Sequence, residues 1–158
     1  MPFRPTELEG VEIRPLNRHA DERGWLAEIF RSDDVGPEGM PVMGYLSVTK
    51  PGESRGPHEH VQQTDWFCFP GPGTFEVRMW DNRPRSTTYT LGQTLVVGGS
   101  EPAMILIPPG VVHGYRNIGD EQAMVLNFPN RLYAGEGRRE PVDEIRHEVD
   151  ARSPFQMQ

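Results

Sequence analysis

The chain has 158 residues, 16 prolines, 17 glycines and a net charge of −7 at neutral pH. That length suits one domain with a real core, and the acidic balance argues against nucleic acid, whose phosphates need a basic surface. No run approaches the roughly 20 apolar residues of a membrane span, and M-P-F-R-P-T-E-L-E-G lacks the apolar centre of a secretory leader. The single cysteine, Cys68, excludes an internal disulfide and fits a reducing cytoplasm; set in W-F-C-F, it reads as a buried thiol.

Taken in chain order, the apolar runs are short. V-E-I-R (11–14) alternates. W-L-A-E-I-F (25–30), M-G-Y-L-S-V (43–48) and D-W-F-C-F (65–69) follow it. Then come T-F-E-V-R-M-W (74–80), T-T-Y-T-L (87–91), T-L-V-V (94–97), M-I-L-I (104–107) and A-M-V-L-N-F (123–128). Turn signals such as D-E-R-G, K-P-G-E, P-G-P-G, D-N-R-P and P-P-G separate them. Many short strands with turns between them predict an all-β sandwich or barrel. The charged tail after Tyr133 predicts a surface segment with one short helix around Asp143–Val149. No repeat or linker divides the chain, so one domain over 1–158 is expected.

Two segments carry the chemistry. R-G-P-H-E-H (55–60) places His58 and His60 at i and i+2, on one face of a strand. P-P-G-V-V-H-G-Y-R-N (108–117) places His113 just after a tight turn, at the start of an extended run. Three imidazoles converging in a barrel suit either proton transfer or a divalent ion, with Asp65 or Glu59 as a carboxylate ligand. A second set is D-E-R-G-W-L-A-E (21–28) with Arg55: arginines at a barrel mouth can clamp a diphosphate, and Trp25 can stack on a base or sugar. A third set is Tyr115, Tyr133, Asn127 and Glu76, among which a tyrosine can act as a general acid.

In order and spacing, D-x-R-G-x-x-x-E (21–28), R-G-x-H (55–58), the glutamine at 63 leading into an aromatic strand, G-x-x-x-F-E (71–76) and I-P-P-G-x-x-H-G-Y (107–115) resemble the cupin superfamily. Within it the chain is similar to the dTDP-4-dehydrorhamnose 3,5-epimerase (RmlC-like) family, from about Val11 to Tyr133. The resemblance implies a jelly-roll barrel, a homodimer, no cofactor and a dTDP-4-keto-6-deoxyhexose substrate. It makes His58 the base that removes the proton beside the 4-keto group and His113 a pocket residue. It gives Arg23, Glu28, Arg55, Gln63, Glu76 and Tyr115 to the substrate, with Arg23 and Glu28 reaching the partner's site.

Four departures keep other readings open. Asn127 stands where the family has its catalytic tyrosine. Asp65 stands where a basic residue is usual, and His60 is additional. The acidic partner that a longer C-terminal extension gives the base is expected to be missing. The alternatives are a metal-dependent cupin with one divalent ion on His58, His60, Asp65 and His113, or a sugar-binding cupin without catalysis.

Overall fold

The computed structural model describes residues 2–33 and 39–157. Thirteen strands form among them: β1 (Arg4–Pro5), β2 (Glu12–Pro15), β3 (His19–Asp21), β4 (Gly24–Leu26), β5 (Tyr45–Thr49), β6 (Ser54–Glu59), β7 (Asp65–Phe69), β8 (Thr74–Asp81), β9 (Gly92–Gly98), β10 (Ala103–Ile107), β11 (Val111–Asn117), β12 (Ala123–Asn127) and β13 (Ile145–Arg146). They build a six-stranded antiparallel sheet in the order β1-β2-β10-β7-β12-β5 and a five-stranded one in the order β13-β6-β11-β8-β9. The β3–β4 pair stands apart as a hairpin. The expected all-β jelly-roll is what the chain forms, and none of its described helices is long and apolar enough to cross a membrane.

Alternation explains how the two sheets meet. Along β8 every second residue is buried, so Phe75, Val77 and Met79 enter the core between the sheets. Phe67, Phe69, Ile105, Val111, Tyr115 and Val125 join them from the other strands. Burying each such side chain contributes about 1.5–3 kcal/mol. The strand β7 is buried at all five positions because its outer face is covered as well. There Trp66 and Cys68 pack with Leu16 and Met104 beneath Phe3, Ala27, Ile29 and Phe30. Burial raises the Cys68 thiol to about 12, so it is inert at neutral pH.

Two expected elements are corrected. Residues 87–91 are turns, not a strand: the hydroxyls of Thr87 and Thr88 are taken by the Glu9 and Asp81 carboxylates, which hold the segment as a knot of local bonds. No helix forms around Asp143–Val149. Residues 145–146 instead pair with the free edge of β6, and edge hydrogen bonding wins over a weak helical period. The tail also does not lie free on the surface, since Ser153 and Met157 are buried.

Candidate functional site

The histidines come together through β6 and β11. His113 and His58 are direct cross-strand neighbours. The turn into β11 depends on Gly110, whose φ is +76° and where a Cβ would lie 2.6 Å from the Arg83 side chain. The β6–β11 register slips between His113 and Tyr115, with the extra residue on β6. This bulge lets Arg55, three residues before His58, face the same cavity.

The imidazoles of His58 and His113 lie 4.6 Å apart, with His60 at 5.4 Å from His58 and 6.0 Å from His113. Asp65 comes from the opposite sheet at the first residue of β7. Its Oδ2 is 3.1 Å from His60 Nε2 and 3.3 Å from His113 Nε2. Its Oδ1 accepts from the amides of Gln63 at 2.9 Å and Asn127 at 2.8 Å. Gln63 Nε2 also lies 3.1 Å from His60 Nε2. The potential ligand atoms of His58, His60, Asp65 and His113 all fall within 4.8 Å of one another.

Carbonyls set the tautomers. His113 Nδ1–H donates to the Val111 carbonyl at 3.0 Å, and His60 Nδ1–H donates to the Asp143 carbonyl. Both Nε2 atoms therefore turn inward to Asp65. Despite the 3.3 Å separation, Asp65 Oδ2 and His113 Nε2 make no aligned hydrogen bond, and both are buried. Two charge states satisfy such a facing pair: a proton on the imidazole, or a cation between the two atoms.

Electrostatics separate the three rings. Burial, then His113 and His60, push His58 down to about 2, so it is neutral at pH 7. Burial works against a charge on His60, but Asp65 and the Asp143 carbonyl outweigh it and raise its proton affinity. Burial likewise opposes ionisation of Asp65, yet His113 and His60 hold its carboxyl below the usual carboxylate range.

His58 and His60 line a cavity of about 1560 Å³ that also takes in Arg55, Gln63, Phe67, Tyr115, Asn127, Arg131 and Tyr133, whereas Asp65 and His113 are fully buried and are not part of its lining. Tyr115 packs edge-on against Phe67, Phe69 and Phe75, and its hydroxyl is 2.9 Å from Ser47 Oγ. Burial raises its proton affinity, so it stays a phenol. Arg55 is aimed by Thr49 Oγ1 at 3.2 Å and the Val48 carbonyl at 3.0 Å.

Several expected site residues lie elsewhere or are already engaged. Glu76 points away from the cavity on the even face of β8 and pairs with Arg78 at 2.7 Å. Glu59 is on the back of β6, with Asn82 and His147. Asn127 does not point a proton donor into open space: its amide serves Asp65, and its carbonyl accepts the Trp66 N–H at 3.2 Å. Arg23 is 84 % exposed and paired with Asp21, while Glu28 neighbours Arg14 and Arg31; neither lines this chain's cavity. Trp25 stacks under the Arg18 guanidinium at 4.7 Å.

The tail supplies groups that the sequence did not reveal. Asp143 accepts the N–H groups of Val61, Gln62 and Gln63 at 2.8–2.9 Å. Glu144 Oε1 stands 3.8 Å from His58 Nδ1, so an acidic neighbour for that histidine is present after all. Their charge in a charged tail gave no local signal, because only the pairing of β13 with β6 brings them near.

The profile of the polysaccharide biosynthesis C-terminal domain family matches residues 19–138. A probable low-salt glycan biosynthesis epimerase, Agl13, of Haloferax volcanii is 40 % identical over 127 residues, which are 80 % of this chain and 81 % of that one. The spore coat polysaccharide biosynthesis protein SpsL of Bacillus subtilis is 33 % identical over 128 residues, 80 % of this chain and 82 % of that one. Among solved structures, NovW, a 4-keto-6-deoxy sugar epimerase from the novobiocin cluster of Streptomyces spheroides, superposes with a TM-score of 0.78. The match covers 98 % of this chain and 80 % of NovW at 23 % identity, a likeness of fold.

Proposed function

Because the chain belongs to the polysaccharide biosynthesis C-terminal domain family and carries the RmlC-like cupin fold, we propose that it is a nucleotide-sugar epimerase of glycan assembly. Its substrate is a 4-keto-6-deoxyhexose on a nucleoside diphosphate, of the dTDP-linked kind that the sequence resemblance implies. The observation that carries this reading is a neutral, half-buried His58 in the cavity that Arg55 enters from the same strand.

A carbon beside a ketone gives up its proton when a base is in place and donors face the forming enolate oxygen. His58 is that base. A diphosphate held by Arg55 adds negative charge near the ring and so raises its proton affinity in the complex. Tyr115, kept protonated by burial, is the donor that the cavity offers. Asn127 cannot return a proton as a phenol does, so the reaction stops at one inverted centre or returns the proton to the same face. The test is incubation with a dTDP-4-keto-6-deoxyhexose in deuterated water, read by NMR. Deuterium at a carbon next to the ketone supports the reading, and a substrate that binds without exchange refutes it in favour of a binding cupin.

A second reading has its own observation: Asp65 Oδ2 and His113 Nε2 are buried without an aligned partner. His58, His60, Asp65 and His113 fit a divalent ion, which would supply Lewis-acid polarisation of a carbonyl. The Val111 and Asp143 carbonyls orient two of those imidazoles, as outer partners of ligands do. Metal analysis of protein purified without a nickel column decides it. Stoichiometric metal lost on Asp65→Asn supports this reading; metal-free protein that still catalyses exchange removes it.

A homodimer goes with the first reading. The β3–β4 hairpin is exposed throughout, with Trp25 48 % and Leu26 68 % exposed. In a pair of chains Arg23 and Glu28 would serve the partner's cavity. Light scattering that reports a monomer at micromolar concentration refutes this.

A further inference from the structure

Segment 143–157 forms a strap across the edge and the outer face of the five-stranded sheet. In β13, Ile145 lies opposite Glu59 and Arg146 opposite His58. The Pro57 carbonyl accepts the N–H groups of His147 at 3.0 Å and Glu148 at 3.1 Å. Further on, Phe155 packs against His147 at 4.8 Å and Trp80 at 5.8 Å. The strap ends with Met157 seated on Gly114, where a Cβ would lie 2.7 Å from Met157 Sδ. Only a glycine there leaves room for it.

The centre of the strap is a second buried acid–histidine pair. Glu59 falls between His58 and His60 in sequence but on the opposite face of β6. It is 6 % exposed, and its Oε1 accepts from Asn82 Nδ2 at 2.9 Å and from His147 Nε2 at 2.9 Å. With Nε2–H donating, His147 Nδ1 faces the Ser153 hydroxyl at 3.4 Å. A carboxylate this deep needs donors, and the strap brings one of the two. Four residues before His147, Asp143 is pinned by three backbone N–H groups and holds His60 by its carbonyl. Glu144, beside His58, lies between the two pins. One pin would let the segment swing about Asp143; two pins fix where Glu144 and the Asp143 carbonyl point.

We infer that His147 and Glu59 are positioning residues, clamping the strap behind β6 so that the Asp143 carbonyl holds His60 and Glu144 stands beside His58 in front. The turnover readout of this inference rests on the proposed epimerase reading; the structural readouts do not. In the full-length chain, His147→Ala releases the strap. The imidazole ¹⁵N spectrum then loses the pinned Nδ1–H tautomer of His60. Trypsin cuts faster at Arg146 and Arg152, which are 58 % and 93 % exposed. Turnover falls by about 10²-fold, the cost of a small misplacement of a reacting group, while KM stays nearly constant. Glu59→Ala matches it, and Glu59→Gln, which keeps the Oε1 acceptor, restores wild-type behaviour in all three readouts. If Glu59→Ala does not fold, His147→Ala and Glu59→Gln decide between them. A His147→Ala protein that melts lower but keeps the His60 signal and wild-type turnover overturns the inference. Wild-type protein inert toward keto sugars refutes the epimerase reading alone, and the NMR and trypsin results still decide the clamp.

Discussion

His113 and Asp65 face each other across the barrel from opposite sheets, Nε2 to Oδ2 at 3.3 Å, and neither atom has an aligned hydrogen bond. A carboxylate there replaces the basic residue expected from the family resemblance. Its negative charge disfavours an anion in this corner, whereas the Arg55 guanidinium favours one elsewhere in the cavity.

His58→Asn tests the base. Loss of a group that acts in the transition state lowers turnover by roughly 10²–10⁴ with little change in ground-state binding. Solvent deuterium exchange at the sugar should vanish while calorimetric affinity for the nucleotide sugar holds. Exchange that survives the substitution removes His58 from the role.

Arg55→Ala should show the reverse pattern. A charge-assisted contact to phosphate is worth about 1.5–3 kcal/mol, so affinity for dTDP falls by that amount. Turnover at saturating substrate should change much less.

Glu76→Ala should leave ligand affinity unchanged. The side chain lies outside the barrel with Arg78, and surface changes of this kind usually stay within about ±0.5 kcal/mol. A large loss of affinity would put this carboxylate in a binding site after all.

Asp65→Ala strands two inward-facing imidazoles in a buried space. Breaking a buried ion pair from one side costs about 3–5 kcal/mol, measurable as a shift of the urea midpoint. A midpoint within error of wild type would mean that the cluster bears no charge.

Asp81→Asn probes acid stability. Burial opposes ionisation of Asp81, but Arg83, Ser86 and Thr88 hold its carboxyl below the ordinary 3.8. Between the two values the unfolded chain binds the extra proton, so this stabilisation is full above about pH 5 and fades as pH falls through the lowered pKa. The variant should be less stable at pH 7, and the gap to wild type should narrow below pH 4. A gap independent of pH refutes the assignment.

Much of this was legible from residue patterns. D-W-F-C-F forms β7 with its expected bounds, and H-E-H with P-P-G-V-V-H brings three imidazoles together. What failed did so for physical reasons. T-T-Y-T-L has strand composition, but nearby carboxylates capture its hydroxyls. Glu76 was misplaced although its neighbours Phe75 and Val77 are core residues, and strand parity alone sends it outward. Asp143 and Glu144 were missed because their role arises from an edge pairing about 85 residues away in sequence, which leaves no local mark.

The strand β7 alternates between two unlike interiors, with Asp65, Phe67 and Phe69 toward the barrel and Trp66 and Cys68 toward the outer layer. A one-residue insertion or deletion inside it exchanges the two sets. An indole would then enter the histidine cluster, and a carboxylate would meet Phe3 and Phe30 in hydrocarbon. Over evolutionary time this strand should accept substitutions but not changes of length, and gaps among relatives should collect in the loops on either side. It serves as the ruler against which the rest of the chemistry is measured.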